Sequence, residues 1–513
     1  MRFFPQSWVS SCQSAGWGGD VIAEAISVVF QPSILLVMVI SAAYGLFVGA
    51  VPGLTATMAV ALMVPFTFYM DPAPALAGIV TVEAMAIFAG DIPAALIRIP
   101  GTPSSAALTE DAYALACRGR AHTVLGAALS FSVAGGFFGA IALMLAAPVL
   151  AAFALNFTSY EYFWLALLGL SSAALVAKGS PVKGILSLGI GLLLSTVGLD
   201  PVDGFARFSF GNPDLAGGVS FIPAMIGLFG FSEVLRNILQ SSLEIRPVQT
   251  RRGEMFQGLL GLMWRRKKSM LRSATIGTLI GALPGAGADI AAWISFGASK
   301  KFSRTPHEYG RGSLEGVTDA STAHNAALAG AWVPALVFGI PGDTVTAIVI
   351  GVLLMKGVQP GPAIFENQPQ MLYSVYVVFL LANLMLLPLG YLAIHVGSRI
   401  VTLPRRILLP GILLFCVVGA FAINSSTFDI GVMIVMGIVG YYLEANGVPV
   451  GPIVLGLVLG PMIEHNLMNS LIKSQGNLAE FFTRPVAGTL GGMCLFMWMS
   501  PLLLYVKRRL AQT

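Results

Sequence analysis

Apolar runs of membrane-crossing length recur from Ser33 to Val506, separated by short polar turns. Crossing about 30 Å of hydrocarbon takes about 20 helical residues. The pattern predicts helices over approximately residues 20–51, 54–69, 76–97, 124–153, 160–177, 181–199 and 219–239, then 270–283, 288–299, 322–340, 344–357, 371–396, 408–423, 429–444, 448–463 and 485–506. Counted by length this is about 11–12 crossings. The pieces 270–283, 288–299 and 344–357 are too short to span and read as half-helices. No segment is long and polar enough for a separate soluble domain. The expected fold is all-α integral membrane, with re-entrant or broken helical hairpins.

Composition strengthens this reading. Apolar residues make up 56% of the 513 and charged residues 10%, too few charges to cover a soluble surface. The 58 glycines and 30 prolines lie within the apolar segments as well as between them, which points to broken helices whose freed backbone groups face protein or a cavity. Four scattered cysteines (Cys12, Cys117, Cys416, Cys494) without a CxxC pair argue against disulfide or zinc roles. No A-x-A-like site follows an apolar core at the N-terminus, so no removable signal peptide is expected.

A net charge of +5 is carried mainly by position. Nine of 29 basic residues fall between Arg236 and Arg272, ending in Arg265, Arg266, Lys267 and Lys268. Basic loops stay cytoplasmic, so the loop 239–268 and the C-terminus with Lys507, Arg508 and Arg509 are expected on that side. The charge therefore speaks for membrane topology and not for nucleic acid.

Gly49-Ala50-Val51-Pro52-Gly53 recurs as Gly281-Ala282-Leu283-Pro284-Gly285, a shift of 232 positions, and Ile99-Pro100-Gly101 recurs as Ile340-Pro341-Gly342, a shift of 241. The chain thus divides into a first repeat (1–238), the basic loop and a second repeat (269–513). Paired Gly/Pro breaks in corresponding places are expected of secondary transporters. The loop near Asp71 lacks basic residues, whereas its counterpart holds Lys300, Lys301, Arg304 and Arg311; Arg118 and Arg120 face Lys356 alone. This reversal predicts inverted repeats and a re-entrant hairpin over 269–299 with its tip at Pro284–Gly287. The competing reading is a parallel duplication.

At each break a half-helix N-terminus offers free amides to an anion. The candidate substrate contacts are Pro52, Gly53, Thr55 and Thr57; Arg98, Gly101, Thr102, Ser104 and Ser105; Gly285 and Gly287; and Asn325, Gly342, Thr344 and Thr346. Alternatively these small residues serve helix packing in lipid. Ionisable residues in apolar stretches are candidate functional sites: Glu83, Asp91, Arg98, Asp289 and Asp343. Asp91, Asp289, Asp343 and His324 are the candidates for ion coupling. Asp91 and Arg98, two helical turns apart, either neutralise each other or leave Arg98 as a bidentate carboxylate clamp. His324 beside Asn325 is either a proton relay or a structural histidine. Glu464 and His465 close an apolar segment and read as interfacial.

No P-loop, H-E-x-x-H or G-x-S-x-G occurs, so an enzyme is not expected and an ion gradient is the expected energy source. An anion channel or a stand-alone carboxylate permease is the alternative.

GAVPGLTATMAVALMVPFTF from Gly49, IPGTPSSAALTEDAYALACRGRA from Ile99, GALPGAGADIAAW from Gly281, LEGV from Leu314, NAALAGAWVPALVFGIPG from Asn325 and VLGLVLGPMIEHNL near Gly460, with SQGN and TRP beyond, resemble the large TctA-type permease of the bacterial tripartite tricarboxylate transporters. The resemblance implies a multi-pass protein of the bacterial inner membrane that works with a small TctB-like membrane subunit and a periplasmic TctC-like solute-binding protein. It also implies uptake of small organic carboxylates driven by a cation gradient, Na+ before H+, without other cofactors. This chain departs from that family at Ala320, Ser321 and His324, and in carrying charge at Asp91, Arg98, Asp289 and Asp343. Tricarboxylate specificity therefore does not carry over.

In a cysteine-free background, a cysteine at Gln257 is expected to resist an impermeant thiol reagent added to spheroplasts, and one at Ala73 to react. If Ala73 and Ser303 react from the same side, the repeats are parallel.

Overall fold

The structure is a computed structural model that describes residues 19–176, 180–200, 204–239, 248, 255–403 and 405–510. Almost all of it is helix; the described strands are the short pair Gly198–Leu199 and Ala206–Arg207. Among the described residues, seven helices are long and apolar enough to cross a membrane, including Pro32–Ala50, Pro72–Ile97, Thr109–Ala154 and Pro369–Val401. Five shorter apolar helices accompany them, including Ala56–Phe68 and Thr344–Met355. Many large side chains on these helices are exposed, such as Leu36, Ile40, Leu145 and Leu193. In a protein surrounded by lipid this is the apolar outer face, and the polar side chains turn inward.

The expected hairpin 269–299 is two helices, Lys267–Gly281 and Gly287–Phe302, joined at the Pro-Gly turn. At 15 and 16 residues each reaches only about 24 Å. Its first-repeat counterpart is Pro32–Ala50 followed by Ala56–Phe68. Gly53, Gly285 and Gly287 all have positive φ (94°, 81° and 58°), which is why glycine stands at these turns.

The repeat extends from sequence into packing. An added Cβ at Gly45 or Gly49 would lie 2.8 or 2.3 Å from the carbonyl oxygen of Val82 or Ala86. In the second repeat, Gly277 and Gly281 face Ala323 and Ala327 at 2.3 and 2.2 Å. The glycines are related by the 232-residue shift and their partners by the 241-residue shift. In both repeats a Gly-x-x-x-Gly face lets one helix lie against the carbonyls of the next, the device by which helices associate without hydrophobic driving force.

The central helices Pro72–Ile97 and Leu314–Phe338 are themselves equivalent, and they meet. Trp332 Nε1 donates to Glu83 Oε2 (3.0 Å), and His324 Nε2 lies 3.4 Å from Asp91 Oδ2. The 241-residue shift carries Glu83 onto His324 and Asp91 onto Trp332. Each contact therefore joins one position of the repeat to the other position of its partner. Two parallel copies would pair like with like; crossed pairing requires the equivalent helices to run antiparallel where they touch. The tips obey the same exchange: Ala56–Phe68 packs on Thr344–Met355, and Gly287–Phe302 packs on the turn Ser104–Ala107.

A second layer, Ser159–Val176, Pro181–Ser195, Gly451–Lys473 and Pro485–Leu510, packs beside this core. Gly451–Lys473 runs further than the sequence pattern indicates, so Glu464 lies within it and pairs with Arg207 (2.6 Å). Part of the basic segment, 240–247 and 249–254, lies outside the described residues; beyond it Leu259–Arg265 is helical where a loop is expected, anchored by buried Met255 and Leu259.

Gly281→Ala places a methyl group against the Ala327 carbonyl and is expected to destabilise the protein by about 1–3 kcal/mol. Gly297→Ala, with no atom within 4 Å of the new Cβ, should be neutral or stabilising by up to about 1 kcal/mol. Thermal unfolding in detergent decides: equal effects would mean that the glycine face carries no packing role.

Candidate functional site

One cavity of about 290 Å³ collects residues from all four Pro-Gly breaks. Thr55 and Thr57 follow the first break, Thr102 and Pro103 the second, Gly285 and Gly287 the third, and Asp343 and Thr344 the fourth. The remaining walls include Glu83, Ile87, Asp289 and Leu328. The lining obeys the repeat: Thr55, Ala56 and Thr57 correspond to Gly287, Ala288 and Asp289; Ile87 to Leu328; and Thr102 and Pro103 to Asp343 and Thr344. The cavity thus lies where the two repeats exchange contacts, and the Thr57 and Thr344 hydroxyls share a hydrogen bond of 2.9 Å across it.

Four helices begin at this cavity: Ala56–Phe68, Gly287–Phe302, Thr344–Met355 and Gly451–Lys473. Their N-termini bring unpaired amides and positive dipole ends to one place. Thr55 caps its helix by accepting from the Met58 amide (3.1 Å). Asp343 accepts from the Thr346 amide (2.8 Å), and the Thr346 hydroxyl returns to the Asp343 backbone, closing a capping box. The fourth N-terminus comes from Pro449, Gly451 and Pro452, a break with no partner in the repeat. Sequence reasoning built on duplicated motifs passed it over; the Gly447–Pro452 cluster, with two glycines and two prolines in six residues, was the available signal.

Nine candidate residues line the cavity: Thr55, Thr57, Thr102, Gly285, Gly287 and Thr344, with Glu83, Asp289 and Asp343. Others stand behind it. Ser104 and Ser105 are buried and bond to the Thr102 hydroxyl (3.0 and 2.8 Å). Thr346 is used in the cap. Pro52 and Gly53 form the turn, with Gly53 facing Asn237 and Glu233. Gly101 and Gly342 are packing positions, since a Cβ there would meet the Gly49 oxygen at 2.4 Å or the Ala331 Cα at 2.6 Å. Bulk at these two glycines would displace the tips without reaching the cavity.

Three groups of candidates lie outside the cavity lining. Arg98 ends its helix in left-handed conformation (φ 60°) and turns outward, with a side chain 58% exposed and paired to Glu110 at 2.7 Å. It neither neutralises Asp91 nor reaches the cavity, because the helix stops before two full turns carry both residues onto one face. Asn325 is buried between helices, donating to the Ser132 carbonyl (2.8 Å) and to Asn383 Oδ1 (3.1 Å). Asp91 and His324 face each other away from the cavity; Ser321 Oγ also donates to Asp91 Oδ2 (3.2 Å).

Charge is where the two repeats differ. Thr57 and Thr102 of the first repeat correspond to Asp289 and Asp343 of the second, and Glu83 adds a third carboxylate. Among the described residues none of the lining side chains is basic. Helix N-termini and hydroxyls can hold an anion, and carboxylates beside them can hold a cation.

Arg98→Gly, which relieves the left-handed backbone and removes the guanidinium, is expected to leave uptake at the wild-type rate in a cell-based transport assay. Loss of uptake with normal membrane expression would restore Arg98 to the site.

The profile of the tripartite tricarboxylate transporter TctA family matches residues 35–455. Two Agrobacterium vitis proteins are similar to this chain. One, described as an uncharacterized 52.8 kDa protein in the TAR-I ttuC' 3' region, is 35% identical over 467 residues, covering 89% of this chain and 91% of that protein. The other, described as an uncharacterized protein in the TAR-II ttuC' 3' region, is 36% identical over 228 residues, 44% of this chain and 94% of that protein. No solved structure matches. With the family profile covering most of its length, the chain belongs to the tripartite tricarboxylate transporter TctA family and is a multi-pass membrane component of a transporter.

Proposed function

We propose that this protein is the large permease subunit of a secondary transporter of the bacterial inner membrane that imports small organic carboxylates, driven by a cation gradient. In this reading a periplasmic solute-binding protein delivers the substrate, a small membrane subunit completes the complex, and the C-terminus is cytoplasmic. The observation that carries the proposal is the convergence of four helix N-termini and four tip threonines on one cavity between antiparallel, equivalent helices. A dry pocket holds a carboxylate only if donors replace its water, and unpaired helix amides supply donors at little further cost.

The antiparallel crossing favours inverted repeats and hence alternating access, in which the repeats exchange conformations about the site they share. The Pro-Gly turns supply the bends, and the tip hydroxyls the substrate contacts.

Thr57→Ala and Thr344→Ala each remove one donor while leaving the backbone intact. In cells expressing all three subunits, with the carboxylate that thermally stabilises the cognate binding protein, each is expected to raise the apparent KM about tenfold, the scale of a hydrogen bond to a charged group. Uptake should saturate and stop when the ion gradient is collapsed. Wild-type KM in both variants would remove the substrate from this cavity, and conduction by the purified subunit alone would make it a channel.

A further inference from the structure

The three carboxylates of the cavity are not equivalent. Asp289 lies in the first turn of Gly287–Phe302, and Asp343 caps Thr344–Met355. Both therefore meet the positive end of a helix dipole, which offsets their charge. Glu83 sits in the middle of Pro72–Ala89, far from either terminus. It is fully buried and lines the cavity. Oε2 accepts from Trp332, while Oε1 has no hydrogen-bond partner among the described residues. Among the described residues no basic side chain lines the cavity to compensate it.

We propose that the cavity contains a cation site in which Glu83 Oε1 is the principal ligand and Asp343 the second carboxylate, with the carboxylate of the substrate held opposite, at the helix N-termini. This rests on the cavity being the transport site proposed above. A buried carboxylate without compensation costs several kcal/mol, and a positive charge against Oε1 removes that cost. The charge is supplied either by a small inorganic cation bound with the substrate or by an ammonium group on the substrate itself. The chemistry at Glu83 is the same in both.

Trp332 gives the site its shape. By holding Oε2, the indole leaves the other oxygen free for a ligand, and Thr57 and Thr102 add neutral oxygens to the cavity lining. Hard oxygen donors of this kind suit a sodium-sized ion or a protonated amine.

The test uses the purified subunit in nanodiscs and needs neither transport nor a binding protein. Melting temperature is measured in sodium chloride against N-methyl-D-glucamine chloride at constant ionic strength, since a ligand that binds only the folded state raises it saturably. Sodium is expected to raise the melting temperature of the wild type. Glu83→Gln keeps an acceptor for Trp332 but carries no charge; it should melt higher than wild type without sodium and show no sodium response. Asp343→Asn retains a capping side chain and should weaken the response about tenfold or more. The second arm compares γ-aminobutyrate with succinate in sodium-free buffer. Stabilisation by γ-aminobutyrate alone, abolished by Glu83→Gln, assigns the positive charge to the substrate. If neither sodium nor γ-aminobutyrate stabilises the wild type, or if Glu83→Gln responds as the wild type does, the site is refuted. The carboxylate reading then still stands or falls on the KM values of Thr57→Ala and Thr344→Ala, which this measurement does not touch.

Discussion

Close contact between helix backbones is the constraint on which the rest of this structure depends. Lipid offers no hydrophobic gain for bringing helices together, so packing must supply it. Gly45 and Gly49 against Val82 and Ala86, and Gly277 and Gly281 against Ala323 and Ala327, let each hairpin lie on its central helix with no side chain between them. The hairpin tips then fall at a fixed depth beside Glu83, Ile87 and Leu328. A single larger residue on either glycine face would lift a tip out of the cavity, so a site with few polar atoms depends on residues that touch nothing it binds.

The helices and the duplication were legible because hydrophobic length and paired Pro-Gly motifs are local signals. The convergence of Thr55, Thr57, Thr102, Gly285, Gly287 and Thr344 followed from the repeat, since equivalent breaks about one axis must meet. Residues whose role depends on a partner far along the chain were not legible. The seven-residue spacing of Asp91 and Arg98 gave no sign that the helix would end in a left-handed turn and send Arg98 to Glu110. Asn325 looked polar enough for a ligand, but Asn383 and Ser132 claim its amide. The Pro449–Pro452 break was missed for the opposite reason: it has no repeat partner to draw attention to it.

The pairs Glu83–Trp332 and Asp91–His324 show how duplicated positions diverge. Both join the same two positions of the repeat, yet one faces the cavity and the other is sealed away from it. Shape follows the common ancestry of the halves, whereas chemistry is assigned separately to each. The same division puts Thr57 and Thr102 on the first-repeat tips where Asp289 and Asp343 stand on the second.

That unequal division has an electrical consequence. In a carrier whose repeats exchange conformations, the cavity carboxylates, Glu83 from the first repeat and Asp289 and Asp343 from the second, move with the helices that bear them, so an unloaded protein with these groups ionised would not reorient as a neutral object. A charge carried across the full membrane potential is worth about 2.3 kcal/mol per 100 mV. In the importer proposed above, an empty negative carrier would be pushed toward the outside of an energised cell, and a cation bound there would cancel the force that holds it. The membrane voltage would then act on the return of the vacant carrier as much as on the entry of its load.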